Sequence, residues 1–254
     1  MSQKEHYNKK LLAFFVAFFI VITFLAVYGA EHYSGHDETV ELEQYCKISD
    51  SDLIKGNSST CVYFITWKGS PTGDAGSWAL YEFLNDHEYN LDKNDYINTS
   101  QSMANFEYNF TPGIIFNNFT YTVNYNGHTT IIKPVYLYGE NLTNETTIAA
   151  GLQKLKGSVP GGIYDEVKIY TTEAIVDGLS IPSDNISTYH HINSITLING
   201  PAGAYIFNGY LIPPSNFVNI TPDKVITDLN DNSSYGGSIK IAVKGLETYI
   251  KDSD

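Results

Sequence analysis

Residues 62–67 have the sequence VYFITW and are followed at 68–73 by the loop KGSPTG. A short run of apolar, β-branched and aromatic residues bounded by Lys68-Gly69 is typical of a buried central strand. After the loop, apolar residues recur at helical spacing, at positions 75, 79, 80, 83 and 84. A strand, a tight loop and a helix in this order indicate the opening of an α/β unit.

The remaining periodicity alternates between strand and helix patterns. Strand patterns cover 113–116, 120–125, 129–138, 192–198, 204–207 and 210–212, and helical patterns cover 147–156, 163–176 and 238–251, with a helix start at 221–223. Asn126-Gly127 and Asn208-Gly209 are typical hairpin turns. The alternation predicts a single α/β domain over residues 61–254, with an insertion near 140–180.

Leu11 to Ala30 (LLAFFVAFFIVITFLAVYGA) contains no charged residue and is long enough for a transmembrane helix. Three lysines precede this segment and acidic residues follow it, so we expect residues 1–10 to form a cytoplasmic tail. The protein would contact membrane lipid through this helix, and residues 31–60 would form a polar stalk outside. Two alternatives are a cleaved signal peptide and a pilin-type precursor cut near Lys10-Leu11.

Acceptor triplets for N-glycosylation are more frequent than chance. With 22 Asn and 41 Ser plus Thr among 254 residues, random order gives about 3.5 triplets, and the chain has nine. They begin at Asn57, Asn98, Asn109, Asn118, Asn141, Asn144, Asn185, Asn219 and Asn232. All nine follow the apolar segment, so we expect a glycosylated exterior domain.

Cys46 and Cys61 are the two cysteines of the chain. Because the predicted exterior is oxidising, we expect them to form one structural disulfide. Free thiols and a redox pair are the alternatives. The spacing differs from the Cys-x-x-Cys of redox-active dithiols.

Charge excludes one class of function. All 15 basic residues are lysines, and the formal net charge is −13. The absence of arginine and the acidic balance argue against binding to nucleic acid. Residues 31–254 hold 12 lysines and 27 acidic residues, a formal charge of −15.

The order of elements resembles a thioredoxin fold. The strand at 62–67 leads through a loop into a helix with Trp78, and Gly200-Pro201 precedes a predicted hairpin and a terminal helix. In thioredoxins a cis-proline precedes such a strand and faces the dithiol loop, so the resemblance implies a cis bond at Pro201.

Several short motifs are also similar to those of membrane-anchored archaeal proteins from acidophiles, a domain-of-unknown-function family with a thioredoxin-like core. These motifs are Gly69-Ser70-Pro71-Thr72-Gly73, Ser77-Trp78-Ala79-Leu80-Tyr81, Thr111-Pro112-Gly113, Val135-Tyr136-Leu137-Tyr138-Gly139, Asn141-Leu142-Thr143 and Gly200-Pro201. The resemblance implies a three-layer sandwich, and the family's name supplies no reaction.

The loop departs from the thioredoxin pattern at the residues that carry the chemistry. Ser70, Pro71, Thr72 and Gly73 stand where a redox-active Cys-x-x-Cys would lie, and a serine hydroxyl cannot replace a thiolate in disulfide exchange. Two alternatives for this loop are anion binding and a nucleophilic Ser70. The sequence has no phosphate-binding motif to support the first and no Gly-x-Ser-x-Gly motif to support the second.

No other pattern predicts a catalytic residue, a cofactor or a metal site. His32 with His36, His190 with His191, and the polar run 228–232 lack the spacing of known metal sites. We therefore expect a non-catalytic, membrane-anchored exterior protein that binds other envelope proteins or glycans, or serves in envelope assembly. A divergent envelope oxidoreductase or disulfide chaperone using Cys46 and Cys61 and a pilin-like subunit are the alternatives.

Overall fold

Helices and strands alternate along the chain, which confirms the prediction of an α/β fold. The computed structural model describes residues 39–56, 58–89, 91–99, 111–139, 142, 147–176, 191–229 and 234–254. The strands are β1 (Thr39–Val40), β2 (Tyr45–Ser49), β3 (Thr60–Thr66), β4 (Tyr96–Thr99), β5 (Gly113–Phe116), β6 (Tyr121–Tyr125), β7 (His128–Tyr136), β8 (Ile175–Val176), β9 (Ile195–Gly200) and β10 (Gly203–Asn208). The helices are α1 (Pro71–Asp86), α2 (Ile148–Lys156), α3 (Gly161–Thr172), α4 (Pro222–Leu229) and α5 (Ser234–Ser253), with a 3-10 turn at Pro214–Phe217.

Six strands form the main sheet in the order β2-β10-β9-β3-β7-β6. β3 is parallel to β7, and every other neighbouring pair in this sheet is antiparallel. All seven residues of β3 are buried. This burial explains the continuous apolar run in the sequence, because a strand covered on both faces shows no polar alternation.

Helices cover both faces of the main sheet. Val62 and Phe64 point into one core with residues of α1, α4 and α5, whereas Tyr63 and Ile65 point into a second core with residues of α2 and α3. The segment predicted as an insertion near 140–180 therefore supplies the second helical layer. Its buried residues Leu155, Ile163 and Val167 belong to the core of the domain.

The prediction of a stalk is wrong for the described part of residues 31–60. Tyr45–Ser49 form β2, which pairs with β10, and Ile48 is buried. The compact unit that contains β2 spans Thr39–Asp254. Only one residue of this edge strand is fully buried, so its sequence lacks the clear alternation that would have predicted it.

One of the two predicted hairpin turns is confirmed. Asn126 and Gly127 join β6 to β7 with φ angles of 51° and 84°, the left-handed geometry that Asn-Gly favours. Asn208 instead ends β10, and residues 210–212 form no strand. The Gly209 N–H donates to Ser194 O at 2.9 Å, so the chain stays alongside β9 and does not fold back at this point.

The prediction of a cis-proline is also wrong. The described residues contain no cis peptide bond, and Pro201 lies in the turn between β9 and β10. The Ala202 N–H donates to Ser253 O at 2.8 Å, so this turn contacts the end of α5. Pro201 does precede β10, the strand of the predicted hairpin, but the neighbouring Gly200 lies against Thr60, at the opposite end of β3 from the loop.

The predicted disulfide between Cys46 and Cys61 is not present. Cys46 lies on β2 and Cys61 on β3, and β10 and β9 separate these strands in the sheet. Three strand spacings place the two backbones at least about 14 Å apart, and a disulfide needs Cα atoms within about 7 Å of each other. Their separation by 15 residues in sequence gave no information about this intervening hairpin.

Across the described ranges, no helix is both long and apolar enough to cross a bilayer. The predicted anchor Leu11–Ala30 and the tail at 1–10 lie outside these ranges.

We expect both cysteines to be thiols within the folded chain, because the strands that carry them are not neighbours. Alkylation of the full-length protein in denaturant without reductant should add two alkyl groups to its mass. The same mass is expected when a reductant is added first. A chain that takes up the alkyl groups only after reduction would contradict the strand order.

Candidate functional site

The loop between β3 and α1 has the strand–loop–helix geometry that its sequence predicts. Ser70 caps α1: its Oγ accepts a hydrogen bond from the Gly73 N–H at 3.1 Å. Pro71 follows in the first turn, where its missing N–H costs no hydrogen bond. The loop is therefore fixed by an ordinary helix cap.

Four hydroxyl groups meet at this loop, and we call Thr66, Ser70, Thr72 and Ser194 the hydroxyl cluster. Ser194 Oγ lies 2.8 Å from both Thr66 Oγ1 and Thr72 Oγ1, and 3.4 Å from Ser70 Oγ. Ser70 Oγ and Thr72 Oγ1 are 2.8 Å apart. Thr66, Ser70 and Ser194 are buried, and Thr72 is half-buried. The cluster joins the end of β3, the start of α1 and the residue before β9.

Sequence reasoning missed two members of this cluster. Ser194 immediately precedes β9 and faces the loop, the place that the resemblance assigned to Pro201. The position of Ser194 could have been inferred from the sequence. Because β9 is antiparallel to β3, the residue before Ile195 lies near the carboxyl end of β3. Thr66 was included in the strand and given no role at the site.

Gly73 is required by the position of Thr66. A Cβ atom at residue 73 would lie 2.2 Å from Thr66 Oγ1 and 3.0 Å from Thr66 Cγ2. The side chain of Thr66 thus occupies the space that a second cysteine of a dithiol would need. Residue 73 therefore lacks a thiol, and the side chain of Thr66 occupies the space where that thiol's side chain would lie.

Among the described residues, the hydroxyl cluster has hydrogen bonds but no activating base. Each of its hydroxyls bonds to another hydroxyl of the cluster, and Ser70 also caps α1. Within the described ranges, no histidine, lysine or carboxylate is hydrogen-bonded to any of the four. A nucleophilic serine needs such a base to remove its proton. This geometry therefore supports a structural arrangement of hydroxyls.

Two of the quoted sequence motifs pack the start of α1 against β5. Trp78 Nε1 donates to Pro112 O at 2.8 Å, and Ser77 Oγ accepts from the Ile114 N–H at 2.7 Å. A Cβ at Gly113 would lie 2.5 Å from Asp74 Cα. Glycine at 113 therefore permits the close approach of strand and helix.

An aromatic group lies behind the loop. The His191 ring packs edge-on against Trp67, with ring centroids 5.6 Å apart, and against Tyr138 at 6.2 Å. Tyr138 Oη donates to Thr147 O at 2.9 Å and accepts from the Ile192 N–H at 3.3 Å. Burial lowers the pKa of His191 to about 4, so its ring is neutral near pH 7.

Three of the predicted glycosylation acceptors lie in the described residues, and all three are exposed: Asn98, Asn118 and Asn219. Asn118 Nδ2 also donates to Asp95 Oδ1 at 2.6 Å. The acceptors at Asn57, Asn109, Asn141, Asn144, Asn185 and Asn232 lie outside those residues. Exposure is compatible with modification at the three acceptors that are described.

The polar patterns considered for metals are not brought together by the fold. Among the described residues, no group of three or more His, Cys, Asp or Glu side chains is arranged to hold a metal ion. His191 belongs to the aromatic group, and Asp228 Oδ2 pairs with Lys224 Nζ at 2.8 Å. His32, His36, His190 and residues 230–232 lie outside the described ranges.

One protein family matches most of the chain. The sequence profile of a family described as "Domain of unknown function (DUF929)" matches residues 44–252. No curated protein and no solved structure matches the chain significantly. The match begins next to Tyr45, the first residue of β2, which agrees with the inclusion of this strand in the fold.

Replacing Gly73 by alanine should destabilise the protein by about 2 kcal/mol, because the new methyl group overlaps Thr66 Oγ1. Urea unfolding of the full-length chain measures this change. Gly76→Ala is the matched control in the same helix. Its Cβ would lie 3.4 Å from Phe64 Cε2, so we expect no loss, or a gain from higher helix propensity. Equal destabilisation by both variants would contradict the assigned fit.

We expect His191 to make the stability of the protein depend on pH between about 6.5 and 4. In that window the unfolded chain binds a proton that the folded chain excludes, so stability falls as the pH falls, by up to about 3 kcal/mol. Below about pH 4 the folded chain binds the proton too, and this contribution stops changing.

The measurement is urea unfolding of wild type and His191→Gln at pH 7 and pH 4. The variant should lose less stability than wild type over this range. His128→Gln, which changes an exposed histidine, should lose as much as wild type. A His191→Gln variant with the wild-type loss would refute the assignment.

Proposed function

Since the chain belongs to the DUF929 family, whose description names no reaction, we propose its function from the site. The protein is a membrane-anchored exterior domain with a thioredoxin-like fold that binds a partner, or serves in envelope assembly, without thiol chemistry. The family match covers residues 44–252, and the arrangement at the loop is the basis for the proposed function.

The sheet topology supports the thioredoxin-like part of this proposal. The elements β3, α1, β7, α3, β9, β10 and α5 follow one another in the order of a thioredoxin-like core. The corresponding strands are neighbours in the order β10-β9-β3-β7, with only the β3–β7 pair parallel. α1 and α5 cover one face of this sheet, and α3 covers the other.

The observation that carries the non-redox function is the fit between Thr66 and Gly73. In a thioredoxin-like core, residues 70 and 73 are the positions of the two redox cysteines. Ser70 is part of the hydroxyl cluster, and Thr66 Oγ1 fills the space beside Gly73. The site is thus built around hydroxyls, and converting it to a dithiol would require changes at three residues.

Two features of the sequence support an exterior location. Leu11–Ala30 is an uncharged segment of 20 residues, and nine acceptor triplets follow it. The three acceptors in the described ranges are exposed. A glycosylated surface offers neutral polar groups to a partner in the envelope. N-terminal sequencing of the native protein tests the anchor, since a pilin-type subunit would lack the first ten residues.

The oxidoreductase alternative has no support from the positions of the cysteines. A dithiol that forms and breaks a disulfide within one chain needs two sulfur atoms in reach of each other. Cys46 and Cys61 lie on strands that are separated by the β9–β10 hairpin. We therefore do not assign them a shared redox function.

The full-length chain should not accelerate the reduction of insulin by dithiothreitol, because its loop has no thiol. Turbidity of precipitating insulin measures the rate, with thioredoxin as the positive control. Turnover that is lost in Cys46→Ser or Cys61→Ser would overturn the proposed function.

A variant designed to gain redox activity also tests the placement of residues 70 and 73. Ser70→Cys with Gly73→Cys and Thr66→Ala introduces two thiols at the start of α1 and removes the blocking hydroxyl. We expect insulin reduction above background, because the helix N-terminus lowers the pKa of a thiol there. Ser70→Cys with Thr66→Ala, which lacks the second thiol, is the control and should remain at background. A folded triple variant without activity would count against the thioredoxin-like placement of residues 70 and 73.

A further inference from the structure

A groove beside the loop collects positive charge in an otherwise acidic domain. It has a volume of about 730 Å³ and is lined by Lys68, Lys133 and Lys154, which come from the β3–α1 loop, β7 and α2. None of its described lining residues is acidic. Because residues 31–254 have a formal charge of −15, three lysines around one acid-free groove form a local exception to the charge of the domain. We call this cavity the lysine groove.

The three ammonium groups are available to a ligand. No described carboxylate forms an ion pair with Lys68, Lys133 or Lys154, whereas Lys47, Lys168 and Lys224 do pair with acidic residues. Two of the ammonium groups lie over aromatic rings. Lys68 Nζ is 5.9 Å from the centroid of Tyr136, and Lys133 Nζ is 5.3 Å from the centroid of Tyr63. These contacts orient the two lysine side chains.

Tyr136 lies at the base of the groove, and buried Asp74, which does not line the groove, acts on it electrostatically. Tyr136 Oη accepts a hydrogen bond from the Phe116 N–H at 2.9 Å, and burial raises the pKa of Tyr136. Its hydroxyl is therefore neutral near pH 7. β6 begins at Tyr121, opposite Ile132, so residues 133–136 of β7 have no β6 residue beside them. Pro134 in this segment lacks an N–H, which disfavours the addition of a peptide strand.

The rim of the groove offers an aromatic ring on a fixed loop. The Phe119 side chain is 91% exposed. Its loop is held by the Asn117 N–H, which donates to Asp95 O at 2.8 Å, and by Tyr121 Oη, which donates to Asp95 O at 2.5 Å. Exposure of a large apolar ring on a fixed loop is a feature of ligand-contact residues, because little entropy is lost when they bind.

We propose that the lysine groove binds a small molecule or saccharide that carries two or more anionic oxyacid groups. The three lysines bind the anionic oxygens as point charges, since no arginine is present for bidentate contacts. Phe119 contacts the apolar face of the ligand. Asn117 Nδ2 and Ser158 Oγ already donate to Asn94 O and Lys154 O, so the lysines provide the recognition of the anionic groups. The volume lies within the usual range of about 300–1,000 Å³ for small-molecule sites. This inference rests on the proposed binding function and names its ligand class.

Calorimetric titration of the full-length chain in a non-ionic detergent, produced in a host without N-glycosylation, tests the proposal. The probes are citrate, tripolyphosphate and sucrose octasulfate, which present carboxylates, phosphates and a sulfated saccharide, with maltose as the neutral control. We expect at least one anionic probe to bind with a dissociation constant below 1 mM, and no binding of maltose. The probe that binds most tightly shows whether the groove prefers carboxylate, phosphate or sulfate groups.

The combined variant Lys68→Gln/Lys133→Gln/Lys154→Gln should weaken binding of that probe at least tenfold. Lys55→Gln/Lys244→Gln/Lys251→Gln is the matched control, since it removes the same charge from exposed lysines outside the groove. This control should change binding less than threefold. Phe119→Ala should weaken the binding of sucrose octasulfate more than the binding of tripolyphosphate, because only the saccharide has an apolar face for the ring to contact.

Equal losses in the two triple variants, or the absence of any anionic probe with a dissociation constant below 1 mM, would overturn the proposal. The insulin assay separates this failure from failure of the proposed function. A chain that binds no anion and does not reduce insulin would retain the non-redox function and lose only the ligand class.

Discussion

Complete burial of β3 determines how the other elements of the domain are arranged. All seven of its residues pair with β7 on one side, residues 61–65 also pair with β9 on the other, and its side chains enter two separate cores. A strand in this position has no polar face, so helices must cover both sides of the sheet. The end of β3 therefore emerges between layers, and the loop after it is the first point at which the chain can present polar groups.

The hydroxyl cluster follows from that position. Thr66 and Ser194 are buried at the carboxyl end of β3 and before β9, where an unpaired hydroxyl would be costly. Their mutual hydrogen bond, and those to Ser70 and Thr72, satisfy the buried groups without a charge or a metal. The site that would hold reactive sulfur in a thioredoxin-like core is thus closed by neutral hydrogen bonds between three elements.

Local signals predicted much of the fold but not the long-range relations. The run 62–67, the loop after it and the helical spacing from Ala75 are local patterns, and each is present in the structure. Asn126-Gly127 forms its turn because both residues adopt left-handed geometry locally. The order of strands is different, because it depends on pairings between distant segments. Insertion of the β9–β10 hairpin between β2 and β3 made the disulfide impossible, and no local spacing encodes that insertion.

At the site, too, contacts between residues close in sequence could be predicted, and contacts between distant residues could not. The Ser70 cap could be predicted from its neighbours, whereas the contact of Ser194 with the loop depends on the start of β9, more than 120 residues away. Pro201 was chosen because it stood near a recognisable turn signal, and that signal belonged to the end of β10. Lysines 68, 133 and 154 are also distant in sequence, so no charge pattern along the chain indicated that they meet.

The medium determines which anion the lysine groove can hold. Near pH 7 most carboxylates of residues 31–254 are ionised, and their excess over lysines reduces the attraction that any anion experiences at long range. In a medium below about pH 4 most of these carboxylates are neutral, and the lysines keep their charge. A carboxylate ligand would lose its own charge over the same range, whereas a sulfate ester or a phosphate would retain at least one. If the domain faces an acidic exterior, as the resemblance to acidophile proteins implies, the attraction is therefore strongest for the sulfated or phosphorylated members of the ligand class.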